Sequence, residues 1–263
     1  DFLLSETKRV IIDAGHGGSD PGAVFEGRQE KDDALRLALA VGRILENAGV
    51  EVMYTRVTDV FDSPLEKAQM ANRSGADYLI SIHRNAMPIP GMASGIVSLV
   101  YEKGGTAELL GSNINRQLAG VGFEDLGVIE RPGLILLRRS QMPAVLVEAG
   151  FIDNPQDNER FDESFQEIAQ AIADGVLRTL EEEEKIRPEY YQIQVGAYVS
   201  CQVAEEITME LMEQGYPAFY IYQDGYYKVR VGAFLNLDNG ANMEMRLRQN
   251  GWPTMMVLEP AVY

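Results

Sequence analysis

Arg9-Val10-Ile11-Ile12-Asp13-Ala14-Gly15-His16-Gly17-Gly18 is an apolar run that delivers a histidine into a glycine-rich turn. A short β-branched run closed by glycines reads as a buried strand leading into a loop. The pattern recurs at Tyr78-Leu79-Ile80-Ser81-Ile82-His83, and His16 and His83 are the two histidines of this 263-residue chain. Two strands that each end in a histidine can present both imidazoles at one edge of an α/β sheet. That edge is where α/β proteins place their ligands.

Outward from these strands, helix and strand patterns alternate. Val10–Asp13, Val50–Thr55, Tyr78–His83, Ile96–Tyr101, Leu134–Leu137 and Ala144–Glu148 are expected as strands. Lys31–Asn47, Leu65–Ser74, Thr106–Leu118 and Phe161–Leu180 are expected as helices. In the first, Leu35, Ala38, Leu39, Gly42 and Leu45 share a face and Gly49 stands just past the end, where a C-cap belongs. Alternation of this kind predicts an α/β fold, a twisted sheet with helices on both faces.

The composition then shifts. Four glutamates, Glu181–Glu184, are followed by Lys185-Ile186-Arg187-Pro188, a charge run that ends at a proline and marks a boundary. Residues 1–182 are expected as the first domain, 183–189 as a linker and 190–263 as the second domain. Within the second, Tyr190-Tyr191-Gln192-Ile193-Gln194-Val195-Gly196-Ala197-Tyr198 recurs 36 residues later as Tyr226-Tyr227-Lys228-Val229-Arg230-Val231-Gly232-Ala233-Phe234. Gly215-Tyr216-Pro217 and Gly251-Trp252-Pro253 keep the same offset. Each repeat reads strand, helix, strand, and two of them predict a small α+β, ferredoxin-like βαββαβ layer. Strict period-2 alternation would turn Tyr191, Ile193, Val195 and Ala197, with Tyr227, Val229, Val231 and Ala233, toward the helices. The opposite face would carry Tyr190, Gln192, Gln194, Tyr226, Lys228 and Arg230, whose rings, amides and cations can stack on sugars and bond their hydroxyls.

Bulk composition bounds the function. Hydrophobic residues make up 46% and charged residues 24%, which is a globular composition. The formal net charge of −17 argues against a nucleic-acid partner, because phosphate binding relies on lysine and arginine. The single cysteine, Cys201, excludes an intrachain disulfide. No apolar run approaches membrane-spanning length. The sequence starts at Asp1 and shows no signal peptide, which is compatible with prior removal of an export signal or anchor.

Two imidazoles and a carboxylate form a three-ligand zinc site with an open fourth position, the catalytic arrangement. Glu30 is the candidate third ligand, at the start of the helix that follows the Gly17–Gln29 loop. A carboxylate there is also favoured by the helix dipole. Glu148 ends the wholly apolar run Ala144-Val145-Leu146-Val147, where burying a carboxylate is costly unless it is paired or functional. Beside a metal it would serve as general base and then general acid. Asp13 either accepts from the His16 ring or simply ends its strand. Thr55-Arg56 and Asn72-Arg73 could meet substrate or simply solvent.

In this order, Ile11–Ala23, Gln29-Glu30-Lys31, Tyr54-Thr55-Arg56, Ala71-Asn72, Ser81–Ala86 and Pro143–Ile152 resemble the zinc-dependent N-acetylmuramoyl-L-alanine amidases of the amidase-3 type. The resemblance spans about residues 8 to 180. It implies one zinc ion, His16, Glu30 and His83 as its ligands, and Glu148 as the catalytic glutamate. Residues 190–263 resemble a SPOR domain, through Gln194-Val195-Gly196-Ala197-Tyr198 and Arg230-Val231-Gly232-Ala233-Phe234. That likeness implies binding to peptidoglycan glycan strands stripped of their stem peptides. Together the two imply a wall hydrolase of the bacterial cell wall or extracellular space, as in mother-cell lysis or prophage lysins. The chain departs from the family pattern at Ala93–Tyr101, where a glutamate-bearing strand is common, and at Arg84, where a small residue is common. The alternatives are a zinc peptidase cutting within the stem peptide and a non-catalytic wall-binding protein.

Overall fold

The computed structural model describes residues 8–186 and 189–260. These form two compact units that divide between Glu182 and Glu183. In the first, a six-stranded sheet has the order β4 (Glu51–Tyr54), β1 (Arg9–Ala14), β5 (Tyr78–Asn85), β8 (Ala144–Phe151), β6 (Ile96–Val100), β7 (Asp125–Glu130). β4, β1, β5 and β8 run parallel; β6 lies antiparallel to β8, and β7 is parallel to β6. A two-stranded ribbon, β2 (Val24–Phe25) and β3 (Arg28–Gln29), leads into α1 (Glu30–Asn47).

Both faces of the sheet are covered, as the near-continuous apolar strands require. One face packs Ile12, Ile80, Ile82, Val145 and Val147 against α1, α3 (Thr106–Gly120) and α6 (Phe165–Ile186) through Leu37, Ile114 and Ile172. The other packs Ile11, Leu79 and Leu146 against Ala68 and Ala71 of α2 (Pro64–Ser74) and Leu136 and Leu137 of α4 (Ile135–Arg139). Helix α2 starts at a capping box in which the Ser63 hydroxyl accepts from Glu66 N and Glu66 reaches back to Ser63 N. Helix α5 (Pro155–Glu163) starts at Asn154, whose side chain accepts from Gln156 N and Asp157 N.

Three elements differ from the sequence reading. Leu134–Leu137, expected as a strand, is the entry to helix α4. A four-residue apolar run carries no period, and here Leu136 and Leu137 bury themselves from a helix. The helix expected over Phe161–Leu180 is two, α5 and α6, with Ser164 between them in a non-helical conformation. Strand β7, at the sheet edge and carrying Gly127 at positive φ, has no clear apolar alternation.

The second unit is β9 (Glu189–Tyr198), α7 (Cys201–Glu213), β10 (Ala218–Gln223), β11 (Tyr226–Phe234), α8 (Leu237–Gln249) and β12 (Met255–Pro260), in that chain order. Its antiparallel sheet has the order β10-β11-β9-β12, a ferredoxin-like βαββαβ layer. Of the expected linker 183–189, Glu183–Ile186 continues α6, and residues 187–188 lie outside the described residues.

Strict alternation fails in this sheet. The β9–β11 register shifts between Val229 and Arg230 and again between Val231 and Phe234. The extra residue falls near Gly196 in one strand and Gly232 in the other, the same place in each repeat. A bulge reverses which side the following residues face. Tyr198 and Phe234 therefore pack on the core of Ile193, Val195, Val229 and Val231. Ala197 and Ala233, expected inward, are exposed.

Candidate active site

Sheet topology brings the two histidine-bearing strands together, since β1 and β5 are hydrogen-bonded neighbours. Gly15 N donates to Ile82 O at 2.9 Å, so the His16 turn begins against the end of β5. A Cβ on Gly15 would collide with the His83 ring, which explains the glycine. His16 itself takes φ +58°, a costly left-handed conformation for a side-chain-bearing residue. The surrounding staple holds it there. Arg56, 3% exposed, donates to Ala14 O, Gly15 O and Lys31 O, and Lys67 donates to Ala14 O at 2.7 Å and His16 O at 3.2 Å.

Glu30 is the first residue of α1, and its carboxylate bridges the imidazoles. Oε2 lies 3.0 Å from His16 Nε2, and Oε1 lies 2.8 Å from His83 Nδ1. Ala23 N donates to Oε2 and Arg84 N to Oε1. Gly22, at φ +67°, leaves room where a Cβ would strike Glu30 and His16. Burial alone would push the Glu30 carboxyl up, but the hydrogen bonds to His16 and His83 prevail and hold it well below the usual carboxylate range. Burial likewise disfavours the charged His16, yet its bonds to Glu30 and Asp20 raise it to about 9. One donor atom each from His16, Glu30 and His83 lies within 4.8 Å of the others, a set able to hold a metal ion. Nitrogen and carboxylate donors in this ratio match the preferences of a borderline divalent ion.

Glu148 stands opposite His83 in the β5–β8 register. Its Oε2 is enclosed and has no hydrogen-bond partner. Burial pushes its carboxyl up to about 7, against the pull of His83. An orphaned buried carboxyl facing a metal-binding group is the environment expected of an acid–base catalyst. Beside the histidines opens a cleft of about 360 Å³. Its lining includes Asp13, His16 and His83, Pro64 and Lys67 of α2, and Leu134, Ile135 and Leu136.

Of the two readings open for Asp13, acceptor for the His16 ring or simply the end of the strand, the first does not hold. Asp13 turns away, accepting from Thr55 Oγ1 and Ser81 Oγ at 2.6 Å each and pairing with Lys67 at 2.9 Å. The His16 partner is Asp20, with Oδ2 at 2.8 Å from Nδ1. Thr55 and Arg56 serve this buried scaffold, and Asn72 binds the Arg139 carbonyl and the Gln141 N–H.

In the C-terminal unit the supposed sugar-binding face is only partly open. Arg230 is 0% and Gln192 3% exposed. The Arg230 guanidinium meets both Glu259 oxygens, at 2.5 and 2.6 Å, and Gln192 Oε1 at 2.9 Å. A buried arginine must be paired, and the bidentate Glu259 carboxylate supplies that pairing through Nη1 and Nη2, while Nε has no partner. Lys228 is drawn to Asp224 and Gln223. Tyr226 is exposed, and Tyr190 and Gln194 are half-buried.

Residues 10–178 match the family described as N-acetylmuramoyl-L-alanine amidase, Amidase_3. The chain belongs to that family. Residues 188–253 match the SPOR domain. The amidase CwlM of Bacillus licheniformis is 34% identical over 222 residues, covering 82% of this chain and 85% of CwlM. The sporulation-specific N-acetylmuramoyl-L-alanine amidase of Bacillus subtilis is 33% identical over the same length and the same shares. Among solved structures, an N-acetylmuramoyl-L-alanine amidase from Clostridium difficile 630 superposes with a TM-score of 0.64 at 33% identity. It covers 67% of this chain and 98% of the other. This amidase therefore acts on peptidoglycan and carries a SPOR domain C-terminal to its catalytic unit in the sequence. Among the described residues, no helix is long and apolar enough to cross a membrane.

Proposed function

We propose that this protein is a zinc amidase that hydrolyses the amide between N-acetylmuramic acid and the L-alanine of the stem peptide. His16, Glu30 and His83 hold the zinc and Glu148 is the general base and acid. The observation that carries the reading is the partnerless Glu148 Oε2 on the strand beside His83, next to the His16–Glu30–His83 group. A zinc ion held by His16, Glu30 and His83 would supply Lewis-acid polarisation of the scissile carbonyl and a water whose pKa is lowered toward about 7. Glu148 takes a proton from the attacking water and passes it to the leaving alanine nitrogen. Asp20 keeps His16 Nδ1 engaged, which leaves Nε2 toward Glu30. The apolar side of the cleft limits water around the scissile amide.

The SPOR unit targets the enzyme to glycan strands stripped of stem peptides, the product of the reaction itself. Tyr190, Gln194 and Tyr226 are its candidate contacts, with Lys228 beside them. Gln192 and Arg230 act from below, shaping the face through Glu259. The cell wall or the extracellular space is the implied location.

Digestion of defined muropeptides followed by mass spectrometry tests the reaction. A new N-terminal L-alanine is expected, and release of a D-amino acid would instead mean a peptidase. Glu148→Gln should keep its zinc and lose roughly 100- to 10,000-fold in turnover. Wild-type hydrolysis by that variant would remove Glu148 from the mechanism.

A further inference from the structure

Arg84 follows His83 in β5, and successive strand residues face opposite sides of the sheet. His83 opens on the cleft. Arg84 instead continues the Ile80 and Ile82 side, which is covered by α1. It is 2% exposed and meets three elements. Its Nη1 donates to Asp33 Oδ2 of α1 at 2.6 Å, and its Nη2 to Asn158 Oδ1 of α5 at 2.7 Å. Its Nε donates to Gly150 O at 3.3 Å, near the end of β8. The guanidinium lies 4.1 Å from the centre of the Phe161 ring. Its backbone N–H donates to Glu30 Oε1 at 3.1 Å.

One residue thus grips α1 twice, at Glu30 through its main chain and at Asp33, three residues on, through its side chain. It also ties down the strand end two residues past Glu148. We propose that Arg84 is a positioning residue of the metal centre, fixing the Glu30 carboxylate relative to His83 by clamping the first turn of α1 to β5, α5 and the end of β8. The inference rests on His16, Glu30 and His83 being the zinc ligands. A surface ion pair would contribute little, but this one is enclosed and joined to a second guanidinium, since Arg28 Nε also donates to Asp33 Oδ2 at 2.7 Å. Removing the fork leaves Asp33 paired to Arg28 and Glu30 bonded to the residue-84 main chain, but takes away the side-chain tie from the first turn of α1 to β5 and the end of β8.

The test is the zinc affinity of the purified full chain, measured by chelator competition, alongside the thermal midpoint of the metal-free protein. Arg84→Met keeps the apolar stem over Phe161 and removes the fork. It should weaken zinc binding about 10- to 100-fold, the range found when groups supporting metal ligands are lost. Arg84→Lys can reach Asp33 but not Asn158 and Gly150 together, and should restore part of the affinity. A lower midpoint with wild-type affinity in the folded protein would make Arg84 merely structural and overturn the inference. If Arg84→Met does not fold, Arg84→Lys carries the test, and wild-type affinity there has the same meaning. His83→Ala separates the two readings. Loss of zinc in His83→Ala with none in Arg84→Met removes the clamp alone. Retention in His83→Ala removes the metal centre and the clamp with it.

Discussion

His16 is held at an unfavourable backbone angle, φ +58°, by groups on every side of it. Asp20 takes its Nδ1, Glu30 approaches its Nε2, and Lys67 binds its carbonyl. Backbone strain of about 1–3 kcal/mol persists only where the surroundings over-determine it. Asp20→Ala should therefore cost roughly 10-fold or more in zinc affinity, measured by chelator competition, with Asp20→Asn in between. Equal affinities for all three proteins would mean that Asp20 does not orient the ring. The residues that meet at the cleft could be read from sequence because each stands at a strand end or a helix start, where an isolated polar group after an apolar run has few other reasons to be. Asp20 could not, because its contact depends on the turn made by Gly17, Gly18 and Gly22. Lys67 looked like any polar residue of an amphipathic helix, yet it is 4% exposed and neutralises Asp13.

Helix α6 meets α3 at Gly175, where a Cβ would come within 2.5–2.7 Å of the Ile114 backbone. Alanine in a helix interior is worth about 1 kcal/mol over glycine. Overpacking against backbone costs about 1–3 kcal/mol. Because backbone cannot yield as a flexible side chain does, the clash wins, and Gly175→Ala should lower the urea midpoint. A raised midpoint would show that the helices separate freely. A second bridge ties α1 and β3 to α5. Arg28 donates to both Asp162 oxygens at 2.8 Å, and this holds the Asp162 carboxyl below its ordinary value. A depressed folded-state pKa contributes stability above the unfolded value of about 3.9 and loses it as pH falls through the folded one. The stability gap between wild type and Asp162→Asn, read from urea unfolding, should be open at neutral pH and close in acid. A gap that widens in acid would reverse the sign. Among the elements, the long periodic helix α1 and the buried strands were legible. Helix α4 was not, because four apolar residues fit either period, and the Ser164 break was hidden inside a continuous apolar stripe.

Over the whole molecule, the 36-residue repeat and the glutamate run pointed to two units, and the chain divides within that run, between Glu182 and Glu183. On the proposed function, catalysis belongs to the first and glycan-strand targeting to the second, so the two should separate by mutation. Tyr226 is 46% exposed. Tyr226→Ala should weaken binding to peptide-free glycan several-fold in a pull-down, as loss of a stacking ring would, while leaving cleavage of small soluble muropeptides at the wild-type rate. Unchanged glycan binding would take Tyr226 off the recognition face. What the repeat could not disclose was the pair of bulges, since one inserted residue leaves composition untouched while turning alanines out and aromatic rings in. Because the kink recurs at the same step of both copies, the two central strands bend alike about the line between them. β9 and β11 run antiparallel at the centre of the sheet, giving it a near-dyad balance. Lysine and arginine in the second copy, where the first has glutamines, break that balance and give the domain a distinguishable left and right.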